Sequence, residues 1–384
     1  MQLFDVYARY DLTIDRAEGC ILYDTDGRDY LDVYGGHAVI SVGHSHPHYV
    51  RKIGDQLQRL AFYSNSVNNP DQEALARQLG RLSGLADRYD LFLCNSGAEA
   101  NENALKVASF ATGNRKLIAF KGGFHGRTSA AVRATDNPRI QAPINRTFPV
   151  THLALGDLHG VTNALAQGDV AAVIIEGIQG IGGVHVPDAS FLEALAATCA
   201  AAQTPLILDE IQSGYGRSGR FFAFQYAAIE PDLITMAKGM GNGFPMGGVL
   251  IRHDHAAVKG MLGSTFGGNP LACAAGSATL DILEAEDLIA HADRFGAALL
   301  PELASLPDVT AVRGVGLMIG LEFPFPVAEL RRRLLFEHRI FVGSSSDPHT
   351  LRLLPPLSFD RAQADRLLAG LRAAIPQAAK IAAV

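Results

Sequence analysis

The sequence predicts an α/β fold: a buried, mostly parallel sheet covered by helices, followed by a smaller carboxy-terminal domain. Three observations predict it. Strand, Gly-rich turn and helix recur along the chain. The strand segments are short, apolar and often rich in Val and Ile, as strands buried on both faces must be. After about residue 288 the texture changes to longer helices around two strands. A chain of 384 residues also exceeds one ordinary core, given a length prior of roughly 150 residues per domain.

Taken in order, the amino terminus carries acids early and has no basic stretch followed by an apolar one, so no export leader is expected. No later apolar run approaches about 18 residues, which disfavours a membrane span. Apolar runs at 91–94, 116–120, 170–175, 205–208, 233–236 and 248–251 read as sheet strands, with helix-like stretches between some of them. A helix is predicted from Asn269 to about Leu288. Beyond it, 289–306, 327–338 and 361–375 read as helices, and 316–323 and 351–354 as strands. The resulting division is an amino-terminal segment 1–48, a large domain 49–280 and a small domain 281–384.

Composition narrows the function. Hydrophobic residues make up 48% and charged ones 19%, which excludes a disordered chain. Lys and Arg (33) against Asp and Glu (39) give a net charge of -6, the wrong sign for wrapping nucleic acid or binding acidic membranes. Cys20, Cys94, Cys199 and Cys273 lie far apart with no C-x-x-C pair, so neither a zinc site nor a disulfide framework is predicted, and a cytoplasmic location is expected.

In open parallel sheets ligands bind beyond the carboxyl ends of the strands, so chemistry is expected at the residues directly after each strand. Ser96 and Glu99 form an S-x-x-E capping box, and Gly97-Ala98 leaves free N–H groups with little side-chain bulk where a helix start would meet a phosphate. Gly214, Gly216 and Gly219 satisfy G-x-G-x-x-G with Asp232 downstream. However, residues 209–213 separate them from the strand and a loop-like stretch follows, against a dinucleotide site. His44, His46 and His48 alternate, but Gly43 and Pro47 place them in a turn, and no metal site is predicted. Asp209 and Lys238 each follow an apolar strand. A lysine among small, apolar residues is poorly solvated, which lowers its pKa toward nucleophilic use. With the acid and the anion-binding helix start, it meets the needs of a Schiff-base cofactor carrying a phosphate.

These residues sit in motifs that span nearly the whole chain: GHSHP, NSGAEANENALKVA, GGFHGRT, LDEIQSGYGRSG, MAKGMGNGFPMGG, GSTFGGNPLACAA, GVGLMIGLEF and LRLLPPL. In them the sequence resembles the class III pyridoxal-phosphate aminotransferases, most closely those acting on acetylornithine and succinylornithine. The resemblance implies fold type I with a seven-stranded sheet in the large domain, and pyridoxal 5'-phosphate as cofactor. It implies that Lys238 carries the cofactor and then moves the proton, that Asp209 pairs with the pyridine nitrogen, and that Gln212 contacts the ring hydroxyl side. Phe124 would stack on the ring, and Ser96, Gly97 and Ala98 would hold the phosphate. Arg127 would grip the distal carboxylate of the substrate, and Arg352 the α-carboxylate of glutamate or 2-oxoglutarate. Thr265 would reach the phosphate from a neighbouring subunit, with Ser264 facing substrate, so a homodimer with shared sites is implied.

The implied reaction moves the δ-amino group of N2-acetylornithine or N2-succinylornithine to 2-oxoglutarate, in arginine biosynthesis. The alternatives are another ω-aminotransferase, acting on ornithine, 4-aminobutyrate or an acyl-lysine, and a non-catalytic cofactor-binding paralogue. The chain departs from the family in one stretch. Where Q-G-E-G-G is usual it has Ile181, and Gly177 stands where a proline is usual. The missing acid would otherwise pair with Arg352, so Arg352 is expected to be less masked and donor discrimination weaker, unless another acid such as Glu176 reaches it.

Overall fold

The computed structural model describes residues 1–382. Its first strands, β1 (Ile14–Glu18), β2 (Ile21–Asp24) and β3 (Asp29–Val33), form an antiparallel meander. The sequence reading places no strand there, because β1 is almost wholly exposed and β2 half-buried, so no apolar run marks them.

Seven strands then build the central sheet: β4 (Tyr89–Cys94), β5 (Lys116–Phe120), β6 (Val150–Leu153), β7 (Val170–Glu176), β8 (Leu206–Asp209), β9 (Leu233–Met236) and β10 (Gly247–Arg252). Their order is β4-β10-β9-β8-β7-β5-β6, parallel except for β10, which runs antiparallel to both its neighbours. β7 reads VAAVIIE and is buried at every position, as a central strand covered on both faces requires. All six expected strands are present. β6 was not anticipated; it lies at the sheet edge, half-buried throughout, and lacks the apolar run that marks the interior strands.

The carboxy-terminal strands are β11 (Ala311–Val315), β12 (Met318–Glu322), β13 (Ile340–Ser344) and β14 (Thr350–Leu353). They complete a second sheet, β1-β2-β3-β13-β14-β12-β11, in which β3 and β13 pair in parallel. The amino-terminal segment is therefore a structural part of the carboxy-terminal sheet. The single strand expected at 316–323 is instead the second half of a hairpin, because Gly316, at φ +58, turns the chain between β11 and β12. The helices Pro270–Ala285, Leu288–Ala304, Ala328–Phe336 and Arg361–Ala382 correspond to the four expected ones. The first opens as its sequence dictates, with Asn269 accepting from the Ala272 N–H and Pro270 at the first helical position. Among the described residues, no helix is long and apolar enough to cross a membrane.

Register fixes where chemistry collects. Glu176 pairs with Asp209, Asp209 with Thr235, Gly248 with Met236, and Gly247 with Cys94, so these strand ends form one edge of the central sheet.

Candidate active site

A cavity of about 670 Å³ opens on that edge. Ser96, Gly97 and Ala98 line one part of it, and Phe124, Arg127, Asp209, Gln212 and Lys238 the rest. Four segments far apart in sequence thus converge at the strand ends.

Asp209 is buried and ends β8. Its Oδ2 accepts from Asn101 Nδ2 and from His125 Nδ1, both at 2.8 Å, and its Oδ1 from the Ile211 N–H at 3.1 Å. Thr235 Oγ1 donates to Asn101 Oδ1, which leaves the amide N–H groups of Asn101 for Asp209 and for the His125 carbonyl. An acceptor-only carboxylate satisfies all these donors at once. Neither Asn101 nor His125 was singled out from the sequence. His125 had a usable signal in its place between Phe124 and Gly126, whereas Asn101 sits inside a helix with nothing local to mark it.

Lys238 follows β9 in a short 3-10 turn, with φ at 44, a conformation that L-residues adopt at a cost and that clusters at functional positions. Burial pushes its ammonium down to about 8, Asp209 and Glu176 favouring the charge and Arg352 opposing it. The amine therefore becomes free as pH rises through about 8, well below an ordinary lysine. We expect the rate at which the apoprotein captures pyridoxal phosphate to climb over that interval and level off above it. Stopped-flow absorbance against pH measures this; a rate still rising steeply near pH 10 would mean an unperturbed amine.

Glu176, the last residue of β7, is also buried. Its oxygens accept from the Phe124 N–H and the Gly180 N–H, each at 2.9 Å. Burial pushes this carboxyl up, with His125 opposing and Asp209 adding to the rise. Its contacts fix the loop that carries Phe124 and the turn before Ile181.

At the other end of the cavity Ser96 caps the helix Gly97–Thr112, accepting from Glu99 N–H at 3.1 Å. The return arm of the capping box goes one residue further back than expected, Glu99 Oε2 accepting from Asn95 N–H at 2.8 Å. The absence of a side chain at Gly97 has a packing reason: a β-carbon there would lie 2.8 Å from Ile211 Cγ2. Gly126 packs against the same helix start, where a β-carbon on it would lie 2.7 Å from that of Ala98. Both leave the helix start facing the cavity.

Arg127 stands exposed at the cavity wall. Arg352, in β14, is fully buried. Its Nε donates to the Ser344 carbonyl and its Nη1 to Gln212 Oε1 at 3.1 Å, and among the described residues it makes no ion pair with a carboxylate. Ile181 lines the cavity, and its carbonyl accepts from Ser345 Oγ and Ser346 N–H. The expected exposure of Arg352 is thus corrected in one respect: the acid is absent, yet Gln212 and Ser344 cover the guanidinium. Gly177 donates its N–H to the Asp209 carbonyl at 3.1 Å, a bond that a proline could not make.

Thr265 and Ser264 lie outside this cavity, in an exposed hollow with Phe62 and Ser66. Ser264 Oγ accepts from Asn95 Nδ2 and from Gly267 N–H.

Two motifs are structural. His44, His46 and His48 each take a different acid, Asp32, Glu286 and Asp281, at 2.8 Å, and among the described residues no group of His, Cys, Asp and Glu could hold a metal. The glycines at 214, 216 and 219 lie in a run of turns, and Asp232 accepts from the Leu206 N–H and pairs with Arg252.

The residues fit pyridoxal phosphate: an amine of lowered pKa, an acceptor-only carboxylate and a helix start share one cavity. A family model for class-III aminotransferases matches residues 6–375. The acetylornithine aminotransferase of Bacillus subtilis is 40% identical over 97% of both chains, and that of Archaeoglobus fulgidus 38% identical over 95% of this chain and 96% of its own. Among solved structures, the ornithine aminotransferase of Toxoplasma gondii superposes with a TM-score of 0.90 at 28% identity, covering 97% of this chain and 92% of that one. An (S)-enantioselective ω-transaminase from Thermomicrobium roseum gives 0.88 at 30% identity, covering 96% and 93%. With its strand-end lysine and aspartate in the matched region, the chain belongs to the class-III aminotransferases and is a fold type I transferase that uses pyridoxal phosphate.

Proposed function

We propose that this enzyme transfers the δ-amino group of an N2-acylornithine, acetyl or succinyl, to 2-oxoglutarate, giving the N-acylglutamate 5-semialdehyde and glutamate, in cytoplasmic arginine biosynthesis. The observation that carries the reading is one cavity lined by Lys238, Asp209, Arg127 and Gln212, with Arg352 buried behind Gln212, to which it donates. The acetylornithine aminotransferases it resembles support the donor, and four buried free cysteines fit a reducing compartment.

Bound pyridoxal phosphate supplies an electron sink that acidifies the carbon bearing the amine. Asp209, oriented by Asn101 and His125, would hold a proton on the pyridine nitrogen. Lys238 Nζ takes the proton from the substrate carbon and returns it. Phe124 would cover the ring, Gln212 would serve its hydroxyl side, and Ser96 with the Gly97 and Ala98 N–H groups would receive the phosphate. Arg127 grips the carboxylate remote from the reacting carbon in both half-reactions, while Arg352 takes the α-carboxylate of the five-carbon diacid. We assign 49–280 to the large domain and 281–384 to the small one, with segment 1–48 contributing strands to the latter's sheet. A panel of amine donors, scored by glutamate formed from 2-oxoglutarate, tests the assignment. Acylornithine must lead; ornithine, 4-aminobutyrate or an acyl-lysine in first place would replace it.

A second copy completes the site in this reading. Thr265 is exposed, and beside it Phe62 and Phe266 expose a tilted ring pair with centroids 5.2 Å apart. Thr265 of one subunit then contacts the phosphate in the other, with Ser264 facing substrate. Mixing Lys238→Ala subunits with Thr265→Ala subunits should restore activity, because one site of each heterodimer keeps both residues. Verified subunit exchange without recovery would mean that each site is self-contained.

A further inference from the structure

The turn that follows β3 is left-handed. Gly35, Gly36, His37 and Ala38 have φ of 54, 54, 69 and 63, and the Ala38 and Val39 N–H groups close the turn onto Tyr34 and Gly35. Two of the four are not glycine, in a conformation that disfavours L side chains. The turn is wedged against the strand that carries Arg352: a β-carbon on Gly35 would lie 2.9 Å from the Leu354 carbonyl, and Leu354 N–H donates to Val33.

This geometry places His37 on the cavity wall. One carboxamide spans the gap to Arg352: Gln212 Nε2 donates to the His37 carbonyl at 3.0 Å while its Oε1 accepts from Arg352. The Tyr34 hydroxyl lies against both nitrogens of the His37 ring, Nδ1 and, at 2.8 Å, Nε2. Burial, together with the charges of Arg352 and Lys238, pushes the imidazole down to about 4, and burial pushes the Tyr34 phenol up, so both are neutral near pH 7. A neutral imidazole has one acceptor and one donor nitrogen. Whichever nitrogen accepts from Tyr34, the other carries the one N–H that the ring can offer a ligand oxygen at the cavity wall.

We propose that His37 is a second recognition residue for the substrate carboxylate that Arg352 binds. This end of the site then takes dicarboxylates through one cation and a neutral donor, framed by Gln212 and Tyr34, with no acid to gate it. The strained turn is the means by which the chain presents that donor beside Arg352. The inference rests on the assignment of Arg352 made above, and it adds a specificity determinant on a different element.

Binding of glutarate, a five-carbon diacid that cannot be transaminated, to the cofactor-loaded protein separates the two. By calorimetry, Arg352→Met should nearly abolish binding. His37→Gly, which accepts the left-handed backbone but has no ring, should weaken it about tenfold, the loss of one hydrogen bond to a charged group. Its Tm and cofactor affinity should not fall. His37→Asn, whose amide can donate and which tolerates this backbone, should recover most of the affinity. An His37→Gly dissociation constant within twofold of the parent, or a loss matched by lower Tm and cofactor affinity, overturns the proposal while leaving Arg352 in place. Glutarate binding that survives Arg352→Met overturns the reading of Arg352 itself.

Discussion

Lys238→Ala should lower kcat by about 10² to 10⁴, the span that a positioned acid-base group contributes. It should also end covalent capture of the cofactor. The reason lies in the position: Lys238 is the amine at the end of β9 whose charge burial disfavours, and it lies opposite Asp209 across the cavity edge. Asp209, Phe124 and the helix start at Ser96 remain in the variant, so pyridoxal phosphate should still bind without a bond to the protein. Borohydride reduction followed by peptide mapping should label the parent at Lys238 and leave the variant unlabelled. A label on another lysine, or full activity in the variant, would remove Lys238 from the centre of the reaction.

Asp209→Asn should cost about 10² to 10³ in kcat, the scale seen when one preorganised electrostatic partner is lost from a buried site. An amide removes the negative charge that would keep the pyridine nitrogen protonated. It also turns one acceptor edge into a donor, facing Asn101 Nδ2 and His125 Nδ1 or the Ile211 N–H. Because Lys238 is intact, borohydride labelling should persist, in contrast to Lys238→Ala. A cofactor analogue carrying a fixed positive charge on the ring nitrogen should restore part of the rate. Failure of that analogue in a folded, labelled variant would show that Asp209 acts through structure and not through the ring.

Much of this site was legible because β8 and β9 announce themselves. The runs ending at Leu208 and Met236 are apolar and short, and the polar residues directly after them are out of place unless they do chemistry. The strand-end rule applied with equal force to Glu176, whose role in fixing Phe124 and Gly180 went unassigned because its partners are main-chain groups that no spacing reveals. Gly97 was read for its openness to an anion, whereas its lack of a side chain answers to Ile211, more than a hundred residues away.

By itself, then, the sequence determined the interior strands, the helix that Ser96 caps, and the strand-end residues Asp209 and Lys238 that line the cavity. These depend on apolar periodicity, capping and strand ends, which act over a few residues. Only the tertiary structure decided that β1–β3 complete the carboxy-terminal sheet, and that Asn101 and His125 share one oxygen of Asp209. It alone decided that Gln212 and Ser344 cover Arg352 where an acid is missing, and that a left-handed turn brings His37 beside them. Those outcomes are hydrogen bonds and close approaches between segments as far apart as Leu31 and Ile340, and they are selected by packing against neighbours that local propensity does not encode.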